Sequence, residues 1–392
     1  MKQDMKKTAL DMLENNIIPF WMKLRDKEFG GFYGYMGIDL QLNPKADKGC
    51  ILNSRILWFF SETSRVLGRT DLLEYAQHAF NFLMNHCYDE KYNGIFWSVT
   101  YDGNPADTTK HTYNQAFAIY ALAAYYEASG DKKALDMALG LFNMLEENCN
   151  ESNGYGEAYD RAFVPESNVK LSERGVMADR TMNTMLHVFE AYSGLYRASK
   201  NPDVKEKMLL ILDIFINKMY NPALKRQEVF FDTKWNTLID ITSYGHDIEA
   251  SWLTEWGSKM LDDEALHKKV EDICSVLAEN VYDKAYRENS IRYECVKGIE
   301  EEARVWWAQA EAVVGFLNIA QKKPDQPKYL QAAEDILSFI EDKLVDKRPG
   351  SEWLNEVMPD GSHTERKKPI VDGWKCPYHN GRMCLEIHTR DF

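Results

Sequence analysis

Gly30-Gly31-Phe32-Tyr33-Gly34 returns in altered form at Asn93-Gly94-Ile95-Phe96-Trp97, at Asn153-Gly154-Tyr155-Gly156 and at Gly350-Ser351-Glu352-Trp353, with Glu228-Val229-Phe230-Phe231-Asp232 as a degenerate copy. Asp102-Gly103 and Asp360-Gly361 follow two of them. Short aromatic runs bounded by glycine and Asp-Gly turns read as small β-hairpins. Self-similarity at a long, fixed period is the mark of a repeat architecture.

Between the hairpins the apolar residues recur at helical spacing. They predict about twelve helices, over 4–25, 50–68, 71–88, 112–129, 131–149, 175–199, 202–219, 245–261, 263–282, 301–322, 326–344 and 376–389. Leu67-Gly68, Ser129-Gly130-Asp131 and Lys323-Pro324 supply helix stops. Six helix pairs of roughly 65 residues each fit either an open solenoid or a closed ring. The polar and aromatic residues favour the ring. Arg55, Tyr113, Asn183 with His187, His246 with Glu249, Trp306-Trp307, and His379 all fall in the early turns of alternate helices. A ring brings those ends to one mouth, and an open solenoid does not. The expected fold is therefore all-α, an (α/α)6 barrel with short β-hairpins in its connecting loops, formed by one domain over 1–392.

Of the 392 residues, 45% are hydrophobic and 28% charged, an ordinary globular balance, and the formal net charge is −14. Such a surface repels phosphate backbones and anionic lipid, which argues against nucleic acid or a membrane as partner. The N-terminal residues alternate charge with apolar groups and no apolar run reaches membrane-spanning length, so neither a signal peptide nor a span is expected. Seven cysteines, an odd number with no Cys-x-x-Cys pair, fit free thiols in a reducing cytoplasm.

Among nine histidines, His78, His86, His267, His363 and His388 sit in polar or terminal contexts and read as structural or surface residues, while His111 is open between the two roles. His246 lies where a loop enters a helix, in Ser243-Tyr244-Gly245-His246-Asp247-Ile248-Glu249, with Glu249 three residues on and on the same face. A carboxylate so placed is expected to hold one imidazole nitrogen, although a capping cluster has the same pattern. His379 sits among turn formers and polar residues in Trp374-Lys375-Cys376-Pro377-Tyr378-His379-Asn380-Gly381-Arg382 rather than in an aliphatic core. Asn183 and His187 share a helix face. Arg55 borders a strongly apolar helix, where a guanidinium needs an anion or several acceptors. Flat indoles such as Trp306, Trp307 and Trp374 suit the face of a sugar ring.

With Ile18-Pro19-Phe20-Trp21, Ser54-Arg55-Ile56-Leu57-Trp58, Lys110-His111-Thr112-Tyr113-Asn114 and Arg304-Val305-Trp306-Trp307-Ala308-Gln309-Ala310-Glu311 added, these motifs span nearly the whole chain in order. The sequence resembles the N-acylglucosamine 2-epimerase superfamily, and the Trp374–Arg382 motif resembles its cellobiose branch. The resemblance implies cofactor-independent, metal-independent epimerisation at C2 of the reducing-end glucose of β-1,4 disaccharides such as cellobiose, lactose and cello-oligosaccharides, by a monomer or weak homodimer. It implies His246 and His379 as acid/bases, Arg55 and His187 as stabilisers of the intermediate, and Glu249 as support for His246. Tyr113, Asn183, Trp306, Trp307, Trp374 and Glu311 are the expected sugar contacts.

Neither a dinucleotide fingerprint nor a P-loop is present. Rival readings are an aldose–ketose isomerase, a monosaccharide or N-acylglucosamine 2-epimerase, a glycoside hydrolase built on carboxylates such as Asp179, Glu249 and Glu311, a metal enzyme using the histidines, and a non-enzymatic scaffold.

Overall fold

The computed structural model describes residues 2–151 and 153–392. Its helices in chain order are α1 (Lys2–Met12), α2 (Ile18–Lys23), α3 (Cys50–Leu67), α4 (Leu73–Phe82), α5 (Thr112–Ser129), α6 (Lys132–Asn148), α7 (Met182–Ser199), α8 (Pro202–Ile214), α9 (Tyr244–Ser258), α10 (Glu264–Ala285), α11 (Trp306–Lys322), α12 (Lys328–Phe339) and α13 (Tyr378–Thr389). Helices α3, α5, α7, α9, α11 and α13 each pack on the next, and α13 packs back on α3, so the inner ring is closed. Helices α1, α4, α6, α8, α10 and α12 lie outside them, each chiefly against one inner helix. The expected (α/α)6 barrel is present. The first predicted helix is interrupted by a wide turn at Leu13–Ile17.

Sequence explains which helices go inside. In α5 every residue from Thr112 to Tyr125 is buried, because the stretch TYNQAFAIYALAAY has no charged face to offer water. In α6 the buried residues are Ala134, Ala138, Leu141, Phe142, Met144 and Leu145, one stripe on an otherwise polar helix. Inner helices also approach closely through glycine. A Cβ on Gly245 would sit 2.6 Å from the Trp307 indole, and one on Gly315 would sit 2.6 Å from Ile248.

A short strand leads into each of five inner helices, at Lys48–Gly49, Lys110–His111, Arg180–Thr181, Ile241–Ser243 and Arg304–Val305. Each pairs antiparallel with the hairpin of the following repeat: Lys48 with Val99, Lys110 with Tyr159, Thr181 with Phe230, Ile241 with Val296, and Arg304 with Val357. The sixth staple, Met36 with Val371, joins the first repeat to the last and completes the circle. This accounts for two differences from the sequence reading. Helices expected to start at 175 and 301 start at Met182 and Trp306, because the residues just before them are held in the staples.

Five of the lead-in segments carry a buried cation. Lys48 bonds Asp26 at 2.6 Å, Lys110 lies 3.2 Å from Asp89, Arg180 bonds Glu151, Arg304 lies 3.2 Å from Glu288, and Lys375 bonds Glu352 at 2.5 Å. Backbone joins in as well: Lys48 also donates to the Gly30 carbonyl and Lys110 to that of Asn93. The repeated Gly-aromatic loops are thus held from below by a cation in the strand that they precede. A second tie comes from the helices, where Asn53 accepts from the Phe32 amide and Gln115 and Gln309 from those of Ile95 and Ile291.

Removing one member of a buried pair leaves the other charge without compensation. Lys48→Met should therefore lower the unfolding free energy by about 3–5 kcal/mol in chemical denaturation. Lys48→Met combined with Asp26→Asn should recover most of that loss. A double variant as unstable as the single one would show that the pair is not the source.

Candidate active site

All six inner helices start at the mouth held by the staples, so their amide-rich N-termini face one pocket. Their second or third residues form an upper layer and their fifth or sixth a lower one. Tyr113, Asn183, His246, Trp307 and His379 belong to the upper layer, and Arg55, His187, Glu249, Glu311 and Arg382 to the lower. All eleven site residues expected from the sequence lie in these two layers or next to them.

Three histidines each have Nδ1 engaged. His187 Nδ1 bonds Glu190 Oε2 at 2.8 Å and His379 Nδ1 bonds Glu311 Oε1 at 2.7 Å. His246 Nδ1 bonds the Ser243 hydroxyl at 2.8 Å, and that hydroxyl donates to Glu294 at 3.4 Å. In each case Nδ1 carries the proton that its partner accepts, which leaves Nε2 as the free, basic nitrogen. Burial pushes all three imidazoles toward the neutral form, His246 to about 3 with His187 adding repulsion, and His379 well down with Arg382 and Arg55 adding theirs.

The pairing of Glu249 with His246 is not formed. His246 is the third residue of α9, so its ring turns back to Ser243 at the helix start rather than forward by a turn. Glu249 points at the ring axis, where Oε1 accepts from Arg382 at 2.6 Å and stands 3.8 Å from His379 Nδ1. Its Oε2 is buried with no partner. Burial, with Glu311 beside it, pushes the carboxyl well above its usual range.

Glu311, expected at the sugar, is a fully buried support. It accepts from His379, from Trp252 Nε1 at 3.0 Å and from Arg382 at 2.6 Å. Trp306 is also turned away from the pocket, buried with the Lys375 ammonium 4.4 Å from its ring centre. Its neighbour Trp307 lies between the two histidines, 4.7 Å from His246 and 5.4 Å from His379 by ring centres. Trp374, 40% exposed, stands at the mouth against Tyr113 and Trp97.

Arg55 is buried among aromatic faces, 4.1 Å from Phe117 and 5.0 Å from Tyr378, and donates to the Tyr113 hydroxyl at 2.7 Å and the Trp374 carbonyl at 3.4 Å. No carboxylate among the described residues pairs with it, and its Nε has no acceptor. Asn183 Oδ1 is likewise buried and unpartnered. A buried guanidinium without a counter-ion is a receptor for developing negative charge.

Arg382 and Glu190 were not singled out by sequence. Arg382 donates to Glu190 and to the Tyr378 hydroxyl through Nη1, and to Glu249 and Glu311 through Nη2. Burial raises the Glu190 carboxyl, but Arg382 and His187 outweigh it and bring the group down to about 2. The i,i+3 spacing that picked out His246 and Glu249 applies equally to His187 and Glu190, where it is correct. Glu249, Glu311 and His379 are also the one group among the described residues with ligand atoms close enough for a metal ion. The Arg382 guanidinium already bonds both of those carboxylates. His111, left open by the sequence, caps α5: Nδ1 accepts from the Tyr113 amide and Nε2 donates to Asn168.

A closed toroid of helix pairs around three oriented imidazoles and an unpaired guanidinium is the fold and pocket of an isomerase rather than of a carboxylate-pair hydrolase. Residues 31–380 match the N-acylglucosamine 2-epimerase (GlcNAc 2-epimerase) family, and the chain belongs to that family. It is 51% identical over 391 residues to the cellobiose 2-epimerase of Eubacterium cellulosolvens, covering 96% of each chain. A sugar epimerase from a ruminal bacterium superposes with a TM-score of 0.97 at 46% identity, over 99% of each chain. The cellobiose 2-epimerase of Bacillus thermoamylovorans B4167 superposes at 0.95 and 41%, over the full length of both.

Two predictions concern protonation. Glu311→Gln presents an amide that can turn its NH2 toward His379 and reverse the tautomer, so kcat should fall by roughly 10²–10⁴-fold with KM little changed. An unchanged kcat would mean that Glu311 does not orient His379. His111 is buried neutral with its folded pKa lowered to about 4 by burial. The unfolded chain binds this proton below about 6.5 and the folded one does not, so stability is intact above pH 6.5 and lost as pH falls toward 4, at about 1.4 kcal/mol per unit. Denaturation curves for the protein and for His111→Asn should therefore converge at that rate on acidification. Parallel curves would contradict it.

Proposed function

We propose that the chain, 1–392 as a single catalytic domain, reversibly epimerises C2 of the reducing-end glucose of β-1,4-linked disaccharides. Cellobiose would give 4-O-glucosyl-mannose and lactose would give epilactose. The relatives named above support the substrate class. The observation that carries the chemistry is the pair of imidazoles, His246 on α9 and His379 on α13, which flank Trp307 with Nδ1 engaged and Nε2 free.

The reducing sugar first opens to its aldehyde, because only then does a neighbouring carbonyl acidify the C2 proton. One imidazole takes that proton and the C–H electron pair moves to form a cis-enediolate, with charge on O1 and O2. Arg55 is the unpaired cation for that charge, and His187, held by Glu190, is a further donor. Preorganised donors at developing charge are usually the largest catalytic contribution. The other imidazole, which must take up a proton on Nε2 before this step, returns it to the opposite face of C2, so the pair holds one such proton throughout. Since a proton leaves C2 and a proton returns to it, no hydride acceptor takes part. Asn183, Tyr113, Trp307 and Trp374 hold the sugar, with Trp374 at the mouth next to the second ring. The seven cysteines are free thiols, four of them 0% exposed, which agrees with a cytoplasmic setting, and we take the chain to act as a monomer or weak homodimer. No helix among the described residues is long and apolar enough to cross a membrane.

The test is incubation with cellobiose in heavy water, followed by NMR. A glucosyl-mannose product with deuterium at C2 is the expected outcome, and His246→Asn or His379→Asn should slow it by roughly 10²–10⁴-fold. A ketose product would mean that the proton returns to C1, and free glucose would mean hydrolysis. Either as the main product would overturn the reading.

A further inference from the structure

Ser243 stands at the start of α9 and does not cap it. Serine is among the residues that most favour a helix N-cap, where the side-chain oxygen accepts from a backbone N–H of the first turn. The residues in the same place on two other inner helices do so: His111 accepts from the Tyr113 amide and Thr181 from that of Thr184. The Ser243 hydroxyl makes no such bond. It is turned instead to His246 Nδ1, at 2.8 Å.

What turns it lies across the strand pair. Ser243 and Glu294 are register partners in the antiparallel ladder between Ile241–Ser243 and Glu294–Val296, so their side chains share one face. Both are buried, at 2% and 4% exposure. The hydroxyl donates to Glu294 Oε1 at 3.4 Å. A hydroxyl has one proton to give, and an ionised carboxylate can only accept. With that proton aimed at Glu294, the oxygen is left to accept from His246. Nδ1 must then carry the imidazole proton, and Nε2 stays basic.

Glu294 has its own support. Arg174 Nη2 bonds Glu294 Oε2 and Glu301 Oε2, each at 2.7 Å. Burial, with Glu173 and Glu301 adding repulsion, pushes the Glu294 carboxyl up, and Arg174 opposes them. Arg174 comes from the loop between Pro165–Glu166 and Arg180–Thr181, 120 residues from Glu294 in sequence. There Arg174 and Gly175 both take the left-handed conformation, at φ +56 and +79, inside a turn closed by the Val176 amide on the Glu173 carbonyl. The arginine thus stands at the tip of a tight reversal, with Glu294 in reach.

We propose that Glu294 and Arg174 are positioning residues for His246: acting through the Ser243 hydroxyl, they hold the imidazole in the Nδ1–H tautomer that leaves Nε2 free to exchange a proton with C2. The inference rests on the acid/base role proposed for His246. It gives that imidazole a carboxylate at one remove, where His379 has Glu311 in direct contact.

Glu294→Gln tests it, because the amide keeps the shape and can donate to Ser243, whose hydroxyl then gives its proton to Nδ1. The full chain labelled with 15N at histidine reports the tautomer by NMR without substrate, the His246 signals being those absent from His246→Asn. Turnover of cellobiose gives kcat and KM. The proposal expects Nδ1–H in the unaltered protein, a shift toward Nε2–H in Glu294→Gln, and a kcat lower by roughly 10–100-fold with KM little changed. Arg174→Met removes the counter-charge, so that Glu294 takes a proton and donates in its turn. It should move the same signals in the same direction, and Arg174→Lys should recover most of the change, which a folding defect would not do. Unmoved His246 signals in either variant would overturn the role of the residue replaced, even if kcat fell. A shifted tautomer with unchanged kcat would overturn the proposal as well. The spectrum needs no substrate, so it decides this proposal separately from the product analysis that decides the reaction.

Discussion

The Arg382 guanidinium is the interaction on which the rest of the pocket depends. It comes from the last helix of the chain and bonds carboxylates on α7, α9 and α11, so one side chain ties α13 to three of the other five inner helices. Glu190, Glu249 and Glu311 converge on one point, and three carboxylates that close cannot all ionise without a cation among them. With Arg382 present, Glu190 is held low, toward its charged form, while Glu249 is pushed up, toward its protonated form. A lysine offers one point charge and cannot fork between two pairs of acceptors in this way. The guanidinium also lies over the Tyr378 and Trp252 rings, at 4.3 and 4.8 Å, which hold its plane.

The staples and buried cations of the mouth perform the matching task for the upper layer. Residues one turn into a helix are only as well placed as the helix start. Here five of the six starts are pinned by a strand, and five of the lead-in segments carry a cation whose acid partner lies in the preceding loop. Lys375 shows the link most directly, because it bonds Glu352, packs over Trp306 and lies four residues from His379 in sequence. Fold stability and catalytic geometry therefore share the same side chains at this end of the toroid. The opposite end is under no such constraint.

Periodicity was enough to read the helices, their pairing and the side of the ring on which chemistry gathers, since these rest on local pattern. The closed ring followed from where Arg55, Tyr113, His187, His246 and His379 fall along their helices. What the sequence could not convey was partnership across the ring. Glu249 was assigned to His246 by spacing, yet its partner is Arg382, more than 130 residues away. Trp306 and Glu311 were expected at the sugar, yet helical geometry turns Trp306 to another face, and Glu311, one turn below Trp307 on the same face, is taken up by His379 and Arg382. Arg382 and Tyr378 stood in a quoted motif and still passed unnoticed, because a buried arginine announces its role only through the acids around it. Helix starts at 182 and 306 were missed for a related reason, since a two-residue strand has no periodicity of its own.

Reversibility places a further demand on this arrangement. In the proposed reaction one imidazole is base toward one epimer and acid toward the other, so the pair must share a single proton and pass through the same enediolate in both directions. Two imidazoles in like surroundings would compete for that proton. These two differ: Nδ1 of His379 is backed by the Glu311 carboxyl, itself paired with Arg382, whereas Nδ1 of His246 meets a neutral hydroxyl. A carboxylate partner raises the basicity of an imidazole more than a hydroxyl does, and the cation beside Glu311 moderates that advantage. The counter-charge on the Glu311 carboxylate thus sets how evenly the proton is shared. That balance is adjusted from beneath the pocket, by residues that never meet the sugar.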